Sequence, residues 1–393
     1  MRIYKHKSFV KVFQRELHAI SRSRSLLFAT IIGPLMGFFL IVWIFSANVP
    51  RDLPVAVVDM DHTSLSRQIA RMTDATPIAA VYKNFISLEE AKKAMEKGEA
   101  DAVLCIPKGT EKNILKGVGS EVALYINNTN VVKGGLLSSG IRKAIGTLSA
   151  GIKLQGQYRN GYYGEQAMAR TMPVQLRSEV LFNPYISYSY FLTACLLPII
   201  LIVFTFLGTI YSLGGELYKG NGPQLLKTAD NSIVVALVGK ILPYTMLYFA
   251  MALFMNVILF NYLGMPIKGS LAIIIFGELM LILSYQMLAI FLLGLFSNMR
   301  LSMSIASAYS MLAVTFSGLS FPVFGMPAFG QAFSAVFPFS YWLRILISQS
   351  LRGEPTVNGI IPMVALVAFI LLGVLFIPRF KCMLLNEKRW GKI

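Results

Sequence analysis

The sequence predicts a polytopic α-helical membrane protein with an α/β domain inserted between its first and second transmembrane helices. Three observations predict it. The 393 residues are 55% hydrophobic and only 14% charged, against about 25% charge in soluble domains. Six stretches stay apolar over about 20 residues, the length that crosses a bilayer. Between the first two lies a long segment, 47–182, whose 17 Lys/Arg and 13 acids are near balance. The net charge of +17 is concentrated elsewhere: residues 1–25 hold seven Lys/Arg against one acid, and 378–393 hold five against one. Basic ends flanking apolar spans mark cytoplasmic tails, so no nucleic-acid partner is expected.

Residues 3–20 (IYKHKSFVKVFQRELHAI) read as an amphipathic helix occupying most of the cytoplasmic stretch 1–25. At helical spacing Phe9, Phe13, Leu17 and Ile20 share one face, with Lys7, Lys11, Arg15 and His18 opposite. Such a helix lies in the inner interface with its basic side drawn to anionic lipid, which makes membrane lipid an expected partner. Glu16, on the apolar side, breaks the pattern.

The first span is 26–46, too long for a signal peptide's apolar region and without a small-x-small cleavage site after it. The others are 186–210, 233–260, 271–296, 301–321 and 359–377, giving six in all. With the N-terminus inside, the inner segments 1–25, 211–231, 297–300 and 378–393 carry 15 Lys/Arg. The short outer loops 261–270 and 322–358 carry only Lys268, Arg344 and Arg352. That asymmetry sets an N-in/C-in topology, places 47–182 outside, and makes 378–393 a basic cytoplasmic tail.

The outer segment has strand-like runs at Val55–Val58, Ile78–Tyr82, Ala102–Ile106 and Val122–Ile126. Between them come helical patterns with start signals at Ser64 and at Ser87/Glu90. A glycine-weakened helical stretch spans about 131–170, and PVQLRSEVLFNP (173–184) returns the chain to the membrane. One turn here invites an enzymatic reading. VAVVDMDHTS (55–64) is a strand running into Asp-x-Asp-x-Thr, as in haloacid-dehalogenase-type phosphoryl-transfer enzymes. That chemistry also needs an acidic pair after a later strand to hold Mg²⁺. Glu89-Glu90 and Glu99/Asp101 both precede one. The stretch reads instead as a βα turn, with Asp59 and Asp61 closing the strand and Thr63 or Ser64 capping the next helix.

Two charges lie inside spans, where they are costly. Glu278 reads either as a lining of the pathway or dimer interface, or as an internally paired group. Lys240 reads as snorkelling to the inner surface. Pro322, Pro327 and Pro338, with Gly325 and Gly330, break the segment after the fifth span, so 322–345 reads as a re-entrant hairpin at the outer mouth of a pathway. Phe337, Phe339, Tyr341 and Trp342 suit an interfacial belt. Cys105, Cys195 and Cys382 fall in three different regions, so no disulfide framework or metal site is expected.

The loop GGELYKGNGPQLLKTAD (214–230), with the six-span layout, resembles the ABC-2 type permeases, the membrane subunits of ATP-driven exporters. Glu216, Lys219, Gly220, Leu225, Leu226 and Thr228 match that family's coupling-loop pattern. Tyr218, Pro223 and Ala229 depart from it, as does Ala194-Cys195 where the family has Pro-Gly. The VAVVDMDHTS turn and Asn183-Pro184 resemble the subfamily with a large extracytoplasmic insertion, and LSFPVFGMPAFGQAFSAVFPFSYWLRIL resembles the family's outer-leaflet re-entrant hairpin. The resemblance implies an exporter permease in the inner or plasma membrane of a bacterium, paired with a second copy or paralogue.

No G-x-x-x-x-G-K-[ST] occurs in the chain, so the chain reads as lacking its own cofactor. ATP and Mg would sit on a separate cytoplasmic ABC ATPase subunit. Leu225 and Leu226, exposed on a short helix, would enter a groove of that ATPase. A path lined by apolar and aromatic residues suggests a drug- or lipid-like substrate. A receptor or scaffold whose outer domain binds an extracytoplasmic partner is the alternative. A secondary transporter would show inverted repeats, and none is evident.

Overall fold

A computed structural model of the chain describes residues 2–46, 50–172, 188–319 and 321–391. PVQLRSEVLFNP, including Asn183-Pro184, lies outside the described residues. The chain forms two compact units, Met1–Asn48 with Val180–Ile393, and Val49–Glu179.

Among the described residues, five helices of the first unit are long and apolar enough to cross a membrane: Arg24–Ile44, Leu192–Tyr218, Ile233–Tyr262, Leu271–Phe296 and Thr356–Leu385. The protein is therefore a multi-pass helical membrane protein. The stretch 301–321 overlaps a helix of 18 residues, Met299–Phe316, that is not among the five. Arg300, Ser302, Ser304, Ser307 and Ser310 dilute its apolar character.

An extended Ser23 separates the amphipathic helix Arg2–Arg22 from the first span, and its hydroxyl accepts from the Leu26 N–H. Pro34 then has no N–H to close the turn before it. The chain widens into a π-helical turn at Phe28–Ile32, and the Tyr248 hydroxyl of the third span donates to Ala29 O (3.4 Å) and Phe204 O (2.9 Å). Gly208 leaves the room for that hydroxyl.

The second span is central, packing on the first, third, fourth and Met299–Phe316 helices. The fourth packs on Ile360–Leu375, where Gly373 lies against the Met287 backbone. Ser284 Oγ donates across this seam to Leu366 O (3.0 Å).

The second unit is an α/β fold. Strands β1 (Leu53–Asp59), β2 (Ala79–Phe85), β3 (Ala102–Ile106) and β4 (Ala123–Ile126) form one sheet ordered β2-β1-β3-β4. Pairs β1/β2 and β1/β3 are parallel, and β3/β4 is antiparallel. The inner strands β1 and β3 are apolar without alternation because both sheet faces are covered. Val55, Val57, Leu104 and Ile106 pack among Leu65, Ile69, Leu137 and Ile141 on one side. Ala56, Val58, Val103 and Cys105 pack with Ala91 and Ala100 on the other.

The carboxylates of the Asp-x-Asp-x-Thr turn are held by hydrogen bonds within the turn and to a neighbouring loop. Asp59 Oδ1 accepts from the N–H groups of Asp61 and His62, and Asp59 Oδ2 from Ser66 Oγ (2.6 Å). Thr63 caps the helix Ser64–Asp74 through a reciprocal pair with Ser66. Asp61 reaches across to the loop after β3, accepting from Gly109 N (2.6 Å), Glu111 N (3.0 Å) and Thr63 Oγ1 (2.8 Å). Burial works to raise its carboxyl, but the N–H of Glu111, the Thr63 hydroxyl and the N–H of Gly109 outweigh it and hold the group below its ordinary 3.8.

A group depressed in the folded state stabilises at pH above its unfolded value, and that contribution is lost as pH falls through the folded one. Asp61→Asn, with one acceptor oxygen in place of two, is expected to cost this unit about 1–3 kcal/mol at pH 7. The difference from wild type should shrink as pH falls below about 4, where the unfolded carboxyl takes up its proton, and be lost only below the depressed folded value. Urea melts followed by circular dichroism at pH 7 and pH 3 measure both; an equal loss at the two pH values would contradict the account.

Candidate functional site

The amphipathic helix, the end of the second span, the helix Gly222–Thr228 and the start of the third span meet at one junction. The second span runs helically to Tyr218, and Gly220, at φ +68°, ends it. Asn221 N donates to Glu216 O (3.0 Å), the closure of a helix stopped by a left-handed glycine. Pro223 starts the short helix, and Thr228 Oγ1 returns a bond to Gln224 O (2.9 Å) at its end. Left-handed Asp230 and Asn231 then turn the chain into the third span at Ser232.

Inside the junction is a buried ionic network. Lys240 Nζ donates to Glu16 Oε1 (2.7 Å) and to Glu216 Oε1 (2.9 Å). Arg15 Nη2 donates to the same Glu216 oxygen (2.5 Å), and the Tyr244 hydroxyl to Glu16 Oε2 (3.3 Å). Two bases and two acids from three helices neutralise one another. Glu16, Glu216 and Lys240 are buried, and Arg15 is half-buried. Beside them Val12, Leu225, Leu226, Ala229 and Ala236 form an apolar cluster.

This arrangement corrects several expectations. Leu225 and Leu226 are 0% and 3% exposed and do not project into solvent; they hold the short helix onto Val12 and Ala236. Lys240 does not snorkel, because two carboxylates meet it inside. The inward face of the amphipathic helix is Val12, Glu16 and Ile20, with Phe9 and Phe13 half-buried beside it and Leu17 44% exposed. Glu16 is therefore what orients that helix. Arg15 turns towards Glu216 while Lys11 is exposed, and the side chain of Lys7 lies outside the described residues. Of the coupling-loop residues only Lys219 is fully exposed; Gly220 is covered by the Trp390 ring and Thr228 is half-buried.

The segment read as a basic cytoplasmic tail contributes to the junction as well. Helix Ile377–Leu385 packs on Gly222–Thr228. Gly222 lies directly against Leu384 O, with no room for a side chain.

The other candidates lie elsewhere in the same unit. Glu278 is fully buried, and its Oε2 accepts from Asn256 Nδ2 (2.8 Å). The hairpin segment is broken, into Val323–Gly325, Ala328–Ser334 and Pro338–Leu346. Pro322 and Pro327 are exposed, whereas Pro338 and Trp342 are buried. Phe337, Phe339 and Trp342 are core side chains, not an interfacial belt. Phe337 packs among the rings of Tyr309, Phe316 and Phe333, and stacked Phe339 and Trp342 lie on a helix packed against the fourth span and Ile360–Leu375. Tyr341 is half-buried.

Sequence reasoning missed Glu16, Lys240 and Tyr244 as one group. The signal was present: an acid on an apolar helix face, a base inside a span and an acid in the loop between are charges that need one another.

The fold and this junction define a membrane-embedded subunit with a polar joint at one end of its helices. The sequence profile of the family described as ABC-2 family transporter protein matches residues 24–377. The chain belongs to that family and is an ABC-2 type transporter permease, a membrane transport component of a kind that in general works with an ABC ATPase. A search of curated proteins returned no match.

Proposed function

We propose that this chain is the permease half of an ATP-driven exporter that moves a hydrophobic or amphiphilic, drug- or lipid-like substrate outward. It works as a dimer with a second copy or a sister chain, in the inner or plasma membrane of a bacterium. Six spans run N-in/C-in, the α/β unit faces outward, and the broken hairpin 322–345 closes the outer end of the path. ATP and Mg stay on the cytoplasmic ATPase subunits.

The observation that carries the reading is the double pairing of Lys240, which ties the amphipathic helix, the second span and the third span together next to the short loop helix. A push on that helix reaches three membrane elements through contacts that cannot slip without unpairing a buried charge. With Leu225 and Leu226 turned inward, the ATPase would meet the outward face, where Tyr218, Lys219, Pro223, Gln224 and Lys227 are exposed.

The test is Lys219→Glu/Lys227→Glu in a complex reconstituted with its ATPase. Substrate-stimulated ATP hydrolysis should fall at least about tenfold while the melting temperature of the permease stays put, as surface substitutions change stability by about 0.5 kcal/mol or less. Unchanged stimulation would rule this face out as the docking surface.

A separate observation favours a binding role for the α/β unit. A crevice of about 530 Å³ lined by Leu65, Ile69, Ile114, Leu148 and Ile152, with Lys153 at its rim, has the size and apolar lining of a small-molecule site. A receptor that binds through this unit without transport would retain ligand affinity and show no ATPase partner.

A further inference from the structure

We infer that the groove beside the start of the first span holds an anionic diacyl phospholipid, with its phosphate at Arg22 and Arg24 and an acyl chain along the second span. The cavity measures about 790 Å³, within the range of about 300–1,000 Å³ of small-ligand sites. Its polar end is Ser21, Arg22, Arg24 and Ser25, and its walls are Leu27, Phe28, Ala29, Ile32, Phe204 and Leu207, closed by Tyr211 and Met303.

The shape follows from the helices. Gly33 and Gly37 let the first span press against Phe204 and Ile200 of the second. On the arginine side of Gly33 the π-helical turn Phe28–Ile32 stays packed on the second span, and the groove runs along the outer sides of Phe28 and Ile32 beside Phe204 and Leu207. Phe28 and Ile32 remain about half-exposed, so the groove opens sideways.

Charge selects the occupant. Neither arginine forms an ion pair among the described residues, and no Asp or Glu lines the groove. Two guanidiniums with two hydroxyls suit a phosphodiester. The apolar walls below suit an acyl chain and give a free phosphate nothing to bind. A second copy seated here across a two-fold axis would bring its own Arg22 and Arg24 towards these. Its N-terminal stretch, with seven basic residues to one acid, would add repulsion.

The experiment titrates phosphatidylglycerol and phosphatidylcholine of identical chains into the delipidated full-length protein in detergent, read by native mass spectrometry. Wild type should retain phosphatidylglycerol preferentially. Arg22→Gln/Arg24→Gln should weaken it about thirtyfold, each basic residue contributing about fivefold, and leave phosphatidylcholine unchanged. Ile32→Trp, which fills the groove from its half-exposed wall, should weaken both lipids at an unaltered melting temperature.

Unchanged phosphatidylglycerol binding in the double variant overturns the site. So does displacement of the lipid by inorganic phosphate, which would mean a headgroup-only site. Disulfide formation between copies through Phe28→Cys in phosphatidylglycerol bilayers would mean that a second chain covers the groove, and overturns it equally. None of these readouts depends on an ATPase, so the site can fail or stand apart from the transport reading.

Discussion

Replacing Lys240 by methionine is expected to destabilise the membrane unit by about 3–5 kcal/mol, as breaking a buried ion pair from one side does. Methionine matches the stem of lysine, so little packing is lost. The loss arises because Glu16 and Glu216 are left close together with Arg15 alone to balance them. Arg15 reaches only Glu216, so Glu16 keeps just the Tyr244 hydroxyl.

The companion Lys240→Met/Glu16→Gln restores neutrality, leaving the Arg15–Glu216 pair and a neutral amide beside Tyr244. It should recover most of the stability, giving a coupling energy of at least about 2 kcal/mol in a double-mutant cycle. Thermal unfolding in a mild detergent, followed by tryptophan fluorescence, reads both variants. A Lys240→Met protein as stable as wild type would show that the lysine reaches solvent, and the joint as described would be gone.

Leu225→Asp should be comparably damaging, at about 4 kcal/mol or more. It gives up the burial of a leucine, about 2–5 kcal/mol in cores, and places a carboxylate without a partner among Val12, Leu226, Ala229 and Ala236. Leu225→Met, similar in volume, should cost less than about 1.5 kcal/mol. Limited proteolysis between the second and third spans and the melting temperature separate the two. Were Leu225→Asp to fold with wild-type stability, the short helix would be detached from the junction and its leucines open to a partner, as the sequence alone suggests.

Because both leucines are buried, loss of an ATPase partner has two physical causes. A Leu225 or Leu226 variant that no longer binds has lost the shape of the junction, and says nothing of direct contact. The exposed Lys219 and Lys227 are the positions that separate docking from folding.

Much of the architecture is legible in one dimension because its causes are local. A run of apolar residues specifies a span through the cost of burying an unpaired backbone in lipid, whatever else surrounds it. The four strands of the α/β unit were marked by apolar runs between turn residues, and Thr63 and Ser87 cap the helices that follow, each accepting from an N–H three residues on. The breaks at Pro322, Pro327 and Pro338 follow from a ring that removes a donor.

Direction is another matter. Leu225-Leu226 on a seven-residue helix is equally a knob for a partner or a plug for the chain's own core, and periodicity cannot choose between them. Trp342 and Phe339 carry the composition of an interfacial belt and sit in a core because the fourth span and Ile360–Leu375 arrive from distant sequence to cover them.

The sequence by itself determined the family, the membrane character, the strands of the α/β unit and the position of the loop between the second and third spans. The family rests on the resemblance of the loop 214–230 and on the profile match over 24–377; the rest follow from composition, periodicity and turn chemistry within a few tens of residues. Only the tertiary structure decided which way that loop faces and what its acid is for. Glu216 lies 24 residues from Lys240, and Glu16 lies 224 from it. Charges so far apart in sequence stabilise one another only once three helices have brought them within 3 Å and excluded the water that would otherwise screen them.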